Sequence, residues 1–148
     1  MIELEVETEV RPTESEEKIR EALETLYPFS RYTRTDPDYR NVYRIKAKGE
    51  GPETLKNLFE QVRRQRIVQT LRNQILSIMD LNNNEVEFMV NKQALTRGKI
   101  SLCTMARESP LGPVYIRISG NNIEEIIDYL FPETNRGKLS EAGFIPKE

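Results

Sequence analysis

Apolar and acidic residues alternate at the start of the chain: Ile2, Leu4, Val6, Thr8 and Val10 are interleaved with Glu3, Glu5, Glu7 and Glu9. A period of two predicts a strand with one buried and one acidic face. Thr13 followed by Glu16 reads as a capping box, and Ile19, Ala22, Leu23 and Leu26 then share a helical face until Pro28, which predicts a helix over 14–27. The stretch around Asp36-Pro37-Asp38 reads as a loop, and Tyr43, Ile45 and Ala47 mark the inward face of a second strand ended by Gly49, Gly51 and Pro52. Helical spacing returns at Leu55, Leu58, Phe59 and Val62, and again at Ile67, Val68, Leu71, Ile75 and Ile78. The two sets centre on nearly opposite faces of one helix, so a break is predicted near 63–66.

After a turn at Asn82-Asn83-Asn84, alternation predicts three more strands. These run through Val86, Phe88 and Val90, over 99–104 with Ile100 and Leu102 inward, and over 114–119 with Val114, Ile116 and Ile118 inward. Ser109-Pro110-Leu111-Gly112-Pro113 is a rigid connection. Asn122 and Glu125 cap a last helix carrying Ile123, Ile126, Ile127 and Leu130, and the tail from about 133 lacks periodicity and is expected to be irregular. The order βαβααβββα, with short turns between sequential strands, predicts one α+β domain spanning 1–148. It is a two-layer sandwich, a mainly antiparallel sheet with helices on one face.

Charge changes this picture from a fold to a partner class. The 148-residue chain has a net charge of −2, yet residues 1–26 sum to −6, residues 31–117 to +7 and residues 118–148 to −3. A basic middle of this kind most often meets a phosphate backbone. The chain has no histidine and a single cysteine, Cys103, which excludes a Ser-His-Asp triad, a Cys-His pair, an imidazole zinc site and an internal disulfide. Cys103 reads as a small buried strand residue. No cofactor, metal site or catalytic motif is expected. An enzyme would have to use a pair such as Lys92 and Glu108. Without an apolar run of membrane-spanning length or a signal peptide, a cytoplasmic protein is expected.

Arg63, Arg64, Arg66 and Arg72 lie within a few helical turns and suit bidentate bonds to successive phosphates. The plain alternative is a solvated helix face paired with Glu60 and Asp80. Lys92, Gln93, Arg97 and Lys99 surround Gly98, where backbone amides can approach a phosphate or where glycine only supplies a positive φ. Tyr32 and Tyr39 are candidates for base stacking, set among Arg31, Arg34 and Arg40. Metal binding by the glutamate ladder is disfavoured, because alternate residues of one strand lie about 7 Å apart. Pairing with Arg44, Lys46 and Lys48 of an adjacent strand is expected instead.

Asn91-Lys92-Gln93-Ala94 with Gly98, Glu108-Ser109-Pro110-Leu111-Gly112-Pro113, Arg66-Ile67-Val68 with Thr70 and Arg72, and Pro132 to Thr134 resemble, over nearly the whole chain, motifs of an archaeal group termed uncharacterised protein family 0201. The resemblance implies a fold similar to that of the large-subunit ribosomal protein numbered five. It also implies a proposed RNA-binding role with a link to RNA processing by the exosome, and no catalytic residues. The chain departs from the pattern at Gln69, where the family favours an acid, and at Leu95, where it favours alanine. RNA is thus the expected partner. The alternative is an assembly subunit, as a homodimer or within an RNA-processing complex, using the Ser109–Pro113 turn or an open strand edge.

Overall fold

The computed structural model describes residues 1–79, 84–135, 138, 139 and 141. Strand β1 (Glu3–Val10) buries Leu4, Val6, Thr8 and Val10 on one face and holds the glutamates on the other. Helix α1 (Glu16–Glu24) begins one residue after Ser15, whose hydroxyl accepts from the Lys18 N–H. The cap is therefore Ser15 and not Thr13, and the helix is shorter than the predicted 14–27. Strand β2 (Tyr32–Arg34) lies in the stretch read as loop, and its three residues are too few to show a period. Strand β3 (Tyr43–Glu50) alternates as predicted, with Ile45 and Ala47 buried.

A 3-10 turn (Pro52–Leu55) leads into α2 (Lys56–Arg64), which is separated from α3 (Val68–Ile78) by the predicted break. Leu58 and Val62 of one helix and Val68, Leu71 and Ile75 of the other are thereby all buried, whereas Ile78 of the same series is exposed. Asn82 and Asn83 of the predicted turn, and Asp80, lie outside the described residues. Strand β4 (Glu85–Val90) is followed by α4 (Lys92–Thr96), a single turn too short for sequence periodicity to reveal.

The strand expected over 99–104 is only β5 (Leu102–Cys103), with Ile100 and Cys103 buried and Leu102 half-buried. Strand β6 (Val114–Ser119) and α5 (Ile123–Leu130) match their predicted bounds, and Asn122 Oδ1 accepts from the Glu125 N–H at 3.2 Å. The tail departs from the irregular reading: β7 (Thr134–Asn135) pairs with β8 (Lys138–Leu139). Residues 142–148, included in that reading, lie outside the described residues.

The sheet order is β2-β3-β1-β6-β4-β5, and every pair is antiparallel. The inward residues of β1, β3, β4 and β6 form one apolar cluster with those of α1, α2, α3 and α5, so the helices cover one face and the other is open. The architecture is α+β with a six-stranded antiparallel sheet. Among the described residues no helix is long and apolar enough to cross a membrane.

The open face is a lattice of matched charges. Arg44 reaches Glu7 at 3.4 Å, Lys46 reaches Glu5 at 3.4 Å, Lys48 reaches Glu3 at 3.8 Å, and Arg117 of β6 binds Glu5 from the other side. This is the cross-strand pairing expected from the sequence, since β1 sits beside β3.

At the sheet edge Glu16 of α1 accepts two bonds from the Arg34 guanidinium, at 2.6 Å each, and one from the Tyr43 hydroxyl at 2.8 Å. These bonds, Arg34 first, hold its carboxyl down to about 2 despite partial burial. A folded-state value below the unfolded one means the stabilisation is complete above about pH 4.5 and is lost as pH falls toward 2. Urea midpoints measured from pH 6 down to 2.5 should therefore fall, and Glu16→Gln should flatten the decline.

Candidate nucleic-acid interface

Two helices end at the same place. At the end of α2 the Ile67 N–H donates to Val62 O at 3.1 Å and the Arg66 N–H to Arg63 O at 3.1 Å, with Arg66 in the left-handed region at φ 59°. At the end of α4 the Lys99 N–H donates to Ala94 O at 3.0 Å and the Gly98 N–H to Leu95 O at 2.9 Å, with Gly98 at φ 73°. Both are Schellman endings, in which the residue after the cap turns left-handed. Gly98 has no heavy atom within 4 Å of where a Cβ would stand, so it supplies the positive φ and does not relieve crowding.

Gln65 ties these two ends together. Its Nε2 donates to Ile100 O at 3.0 Å, and its Oε1 accepts the Ile100 N–H at 2.7 Å. Gln61 Nε2 donates to the same Oε1 at 2.7 Å, and Arg64 donates to Gln61 Oε1 at 3.0 Å. Arg64 and Arg66, on either side of Gln65, are thus held beside Arg97 and Lys99. All four are exposed, and among the described residues none forms an ion pair.

Three other candidates serve the fold instead. Lys92 is 2% exposed, and its ammonium donates to Glu9 O at 2.8 Å, to Leu111 O at 2.6 Å and to both Glu14 carboxylate oxygens at 3.0 and 3.1 Å. Burial pulls its pKa below the ordinary lysine value, against the opposing pull of Glu14. It is not available to a phosphate, nor is it paired with Glu108, whose carboxylate accepts from the Thr104 hydroxyl at 2.6 Å.

Arg63 lies over the Phe59 ring at 3.4 Å, donates to Tyr129 O and Leu130 O at the end of α5, and pairs with Glu141 at 2.7 Å. Arg72 donates to Phe131 O at 2.7 Å and pairs with Asp128 at 2.9 Å. These arginines satisfy the carbonyls that a helix leaves open at its C-terminus, which removes them from the phosphate set. Of the expected partners, Glu60 makes no ion pair among the described residues, and Asp80 lies outside them.

Gln93 is half-buried at the start of α4, and Asn91 caps that helix by accepting from the Ala94 N–H at 2.9 Å. Tyr32 has Arg20 over its ring at 4.4 Å and its hydroxyl on Glu24 at 3.2 Å, so one ring face is already taken. Tyr39 is 97% exposed at the tip between β2 and β3, away from the four cations in sequence and element. Burial pushes the Cys103 thiol up, consistent with an inert core residue. Among the described residues no group of three or more Cys, Asp or Glu is placed to hold a metal ion.

The sequence pattern gave no weight to Tyr115. It occupies an outward position of β6, between the inward Val114 and Ile116, and stands half-buried on the open face directly across from Glu7. The signal was available, because an aromatic residue on the polar side of a strand calls for a partner.

A family model described as RNA binding matches residues 3–120. A UPF0201 protein of Sulfurisphaera tokodaii is 32% identical over 137 residues, covering 93% of this chain and 92% of that protein. The chain belongs to the UPF0201 family. A relative from Pyrobaculum islandicum is 36% identical over 137 residues, covering 92% of this chain and 93% of its own. The crystal structure of the UPF0201 protein of Methanococcus jannaschii shares the fold, with a TM-score of 0.78, 23% identity and coverage of 93% and 98% of the two chains.

Gln69, one of the two departures that the resemblance implied, has a structural role. Its Oε1 accepts the Thr134 N–H at 2.8 Å, a bond that a carboxylate oxygen would also make, and its Nε2 adds a bond to Asn73 at 2.8 Å. Leu95, at the other departure, is 1% exposed and fills the core under α4.

Two stability measurements separate fold from surface here. Lys92→Met leaves the Glu14 carboxylate buried without its counter-charge and should cost about 3–5 kcal/mol, read from urea midpoints, with Glu14→Gln in the same chain restoring part of the loss. Arg66→Gly removes a side chain from a left-handed position and should raise stability by about 0.5–1 kcal/mol.

Proposed function

We propose that this protein binds RNA through the phosphate backbone, with Arg64, Arg66, Arg97 and Lys99 as the contact surface. The observation that carries this reading is the two-bond clasp of Gln65 on Ile100, which brings together two helix ends bearing four exposed cations, none of them ion-paired among the described residues. Helix C-termini carry about half a negative charge each, so two of them offset about one of the four positive charges. The remainder is available to phosphates. Guanidinium groups supply the paired donors and the lysine a mobile point charge.

The match to a family model described as RNA binding supports the same partner. The open sheet face as a whole is a poorer backbone site. Its outward Glu3, Glu5, Glu7, Glu9, Glu85 and Glu87 outnumber Arg44, Lys46, Lys48 and Arg117.

Contact with four phosphates of a single strand predicts a log–log salt slope of about −2.8, so affinity should fall about fiftyfold between 50 and 200 mM salt. Replacing Arg64, Arg97 and Lys99 by alanine should reduce the slope by about 2 and weaken binding alike for all sequences. Fluorescence anisotropy with labelled single strands measures both, and an unchanged slope would rule these residues out. Arg66→Gly should weaken binding while it stabilises the fold, opposite signs that a merely structural residue does not give.

A further inference from the structure

A cavity of about 370 Å³ opens where the end of β1 and the starts of β3 and β6 meet the 106–113 segment, and its walls include Glu7, Glu9, Arg11, Arg44, Arg107 and Tyr115. We propose that this cavity holds one base of the bound RNA, selecting guanine over uracil, with Tyr115 as the stacking surface and Glu7 as the group that reads the base edge. The proposal rests on the RNA-binding reading and adds to it a base preference that the four surface cations cannot provide.

Glu7 and Tyr115 are direct partners across the β1–β6 pair, and side chains so placed on one face have Cβ atoms about 4.5–5.5 Å apart. A base lying against the phenol ring therefore presents its edge to the carboxylate. Among the described residues Tyr115 is the one aromatic side chain in an outward position of the four long strands, and its hydroxyl has no hydrogen-bond partner. A sheet face on which a ring stacks a base is a recurrent way of binding single-stranded RNA.

The Glu7 carboxylate is tied on its far side, Oε1 to Arg44 at 3.4 Å and Oε2 to Lys46 at 3.8 Å. These contacts orient it, and each oxygen retains a free lone pair. Guanine offers two adjacent donors, N1–H and the N2 amino group, which match the two oxygens. Uracil flanks its single N3–H with two carbonyl oxygens that a carboxylate repels.

The charge around the cavity suits a nucleotide and not a bare base. Arg107 is exposed and, among the described residues, unpaired, while Arg11 shares its guanidinium with Glu9 at 3.3 Å and keeps a buried Nε without an acceptor. Three guanidinium groups against two carboxylates leave one positive charge for a phosphate. Helix α4, about 7.5 Å of helix at 1.5 Å per residue, starts at the 106–113 segment, where the Lys92 N–H donates to Ser109 Oγ at 3.1 Å. It ends at the Gln65 clasp, so cavity and cation surface fall within one short strand of RNA.

The test compares a strand of eight uridines with the same strand carrying one central guanosine, both at low salt. The guanosine strand should bind about tenfold more tightly to the unaltered protein. Glu7→Gln should abolish that preference, weakening the guanosine strand and not the all-uridine strand, from which a repelling carboxylate is removed. Tyr115→Ala should weaken the guanosine strand, and Tyr115→Phe, which keeps the ring, should not. Equal affinity of the unaltered protein for both strands would overturn the base-reading cavity and leave backbone binding standing. A preference that survives in Glu7→Gln would overturn the assignment of Glu7. No binding of either strand would overturn the RNA reading itself.

Discussion

The buried ammonium of Lys92 joins four pieces of chain at one point: the end of β1 through Glu9 O, the approach to α1 through Glu14, the 109–113 turn through Leu111 O, and its own helix α4. A lysine without these acceptors would not be stable at 2% exposure, since an isolated buried charge is far costlier than the methylene packing it gains. The constraint therefore runs both ways. Lys92 is held in the core by the geometry of the loops, and the loops hold their geometry because the charge must be met. The cavity walls and the start of α4 are both set by this one group.

Most of the basic middle of the sequence is absorbed in the same manner. Arg44, Lys46, Lys48 and Arg117 answer the glutamates of β1, Arg34 answers Glu16, Arg40 answers Asp38, and Arg63 and Arg72 close the end of α5. A charge count over 31–117 thus overstates what a polyanion would meet. Among the described residues, Arg31, Lys56, Arg64, Arg66, Arg97, Lys99 and Arg107 of that stretch form no ion pair, and the position of Arg64, Arg66, Arg97 and Lys99 depends on a neutral residue. Gln65 does at the two helix ends what no cation could, because its amide both donates to and accepts from Ile100, whereas an ammonium or guanidinium has no acceptor.

The strands, the helix break and the pairing of the acidic ladder were legible because they depend on neighbours within a few residues. The sorting of cations was not. Lys92 follows a strand and precedes a glycine, which reads as an exposed loop lysine, and its acceptors lie at positions 9, 14 and 111. Arg63 and Arg72 share a polar stripe with exposed residues, and only the packing of α5 against α2 and α3 turns them inward. Helix α4 and strand β2 each span fewer than two of the repeats by which helices and strands are recognised. Tyr115 was visible as an outward aromatic residue, yet its value depends on Glu7 standing opposite, a register that a single strand does not disclose.

The two helix endings at the Gln65 clasp offer a comparison within one molecule. Both require a left-handed residue, and the chain places glycine in one and arginine in the other. Gly98 is the low-strain solution, and at Gly98 itself a Cβ would meet no neighbour, so crowding does not dictate the choice there. Arg66 makes no ion pair among the described residues and is exposed, so nothing in the described fold offsets the roughly 1 kcal/mol or more that its conformation costs. Strain kept at an exposed, charged position, next to three other cations that form no ion pair among the described residues, supports the proposed binding surface, because it favours the reading that the side chain matters more to a partner than to the fold.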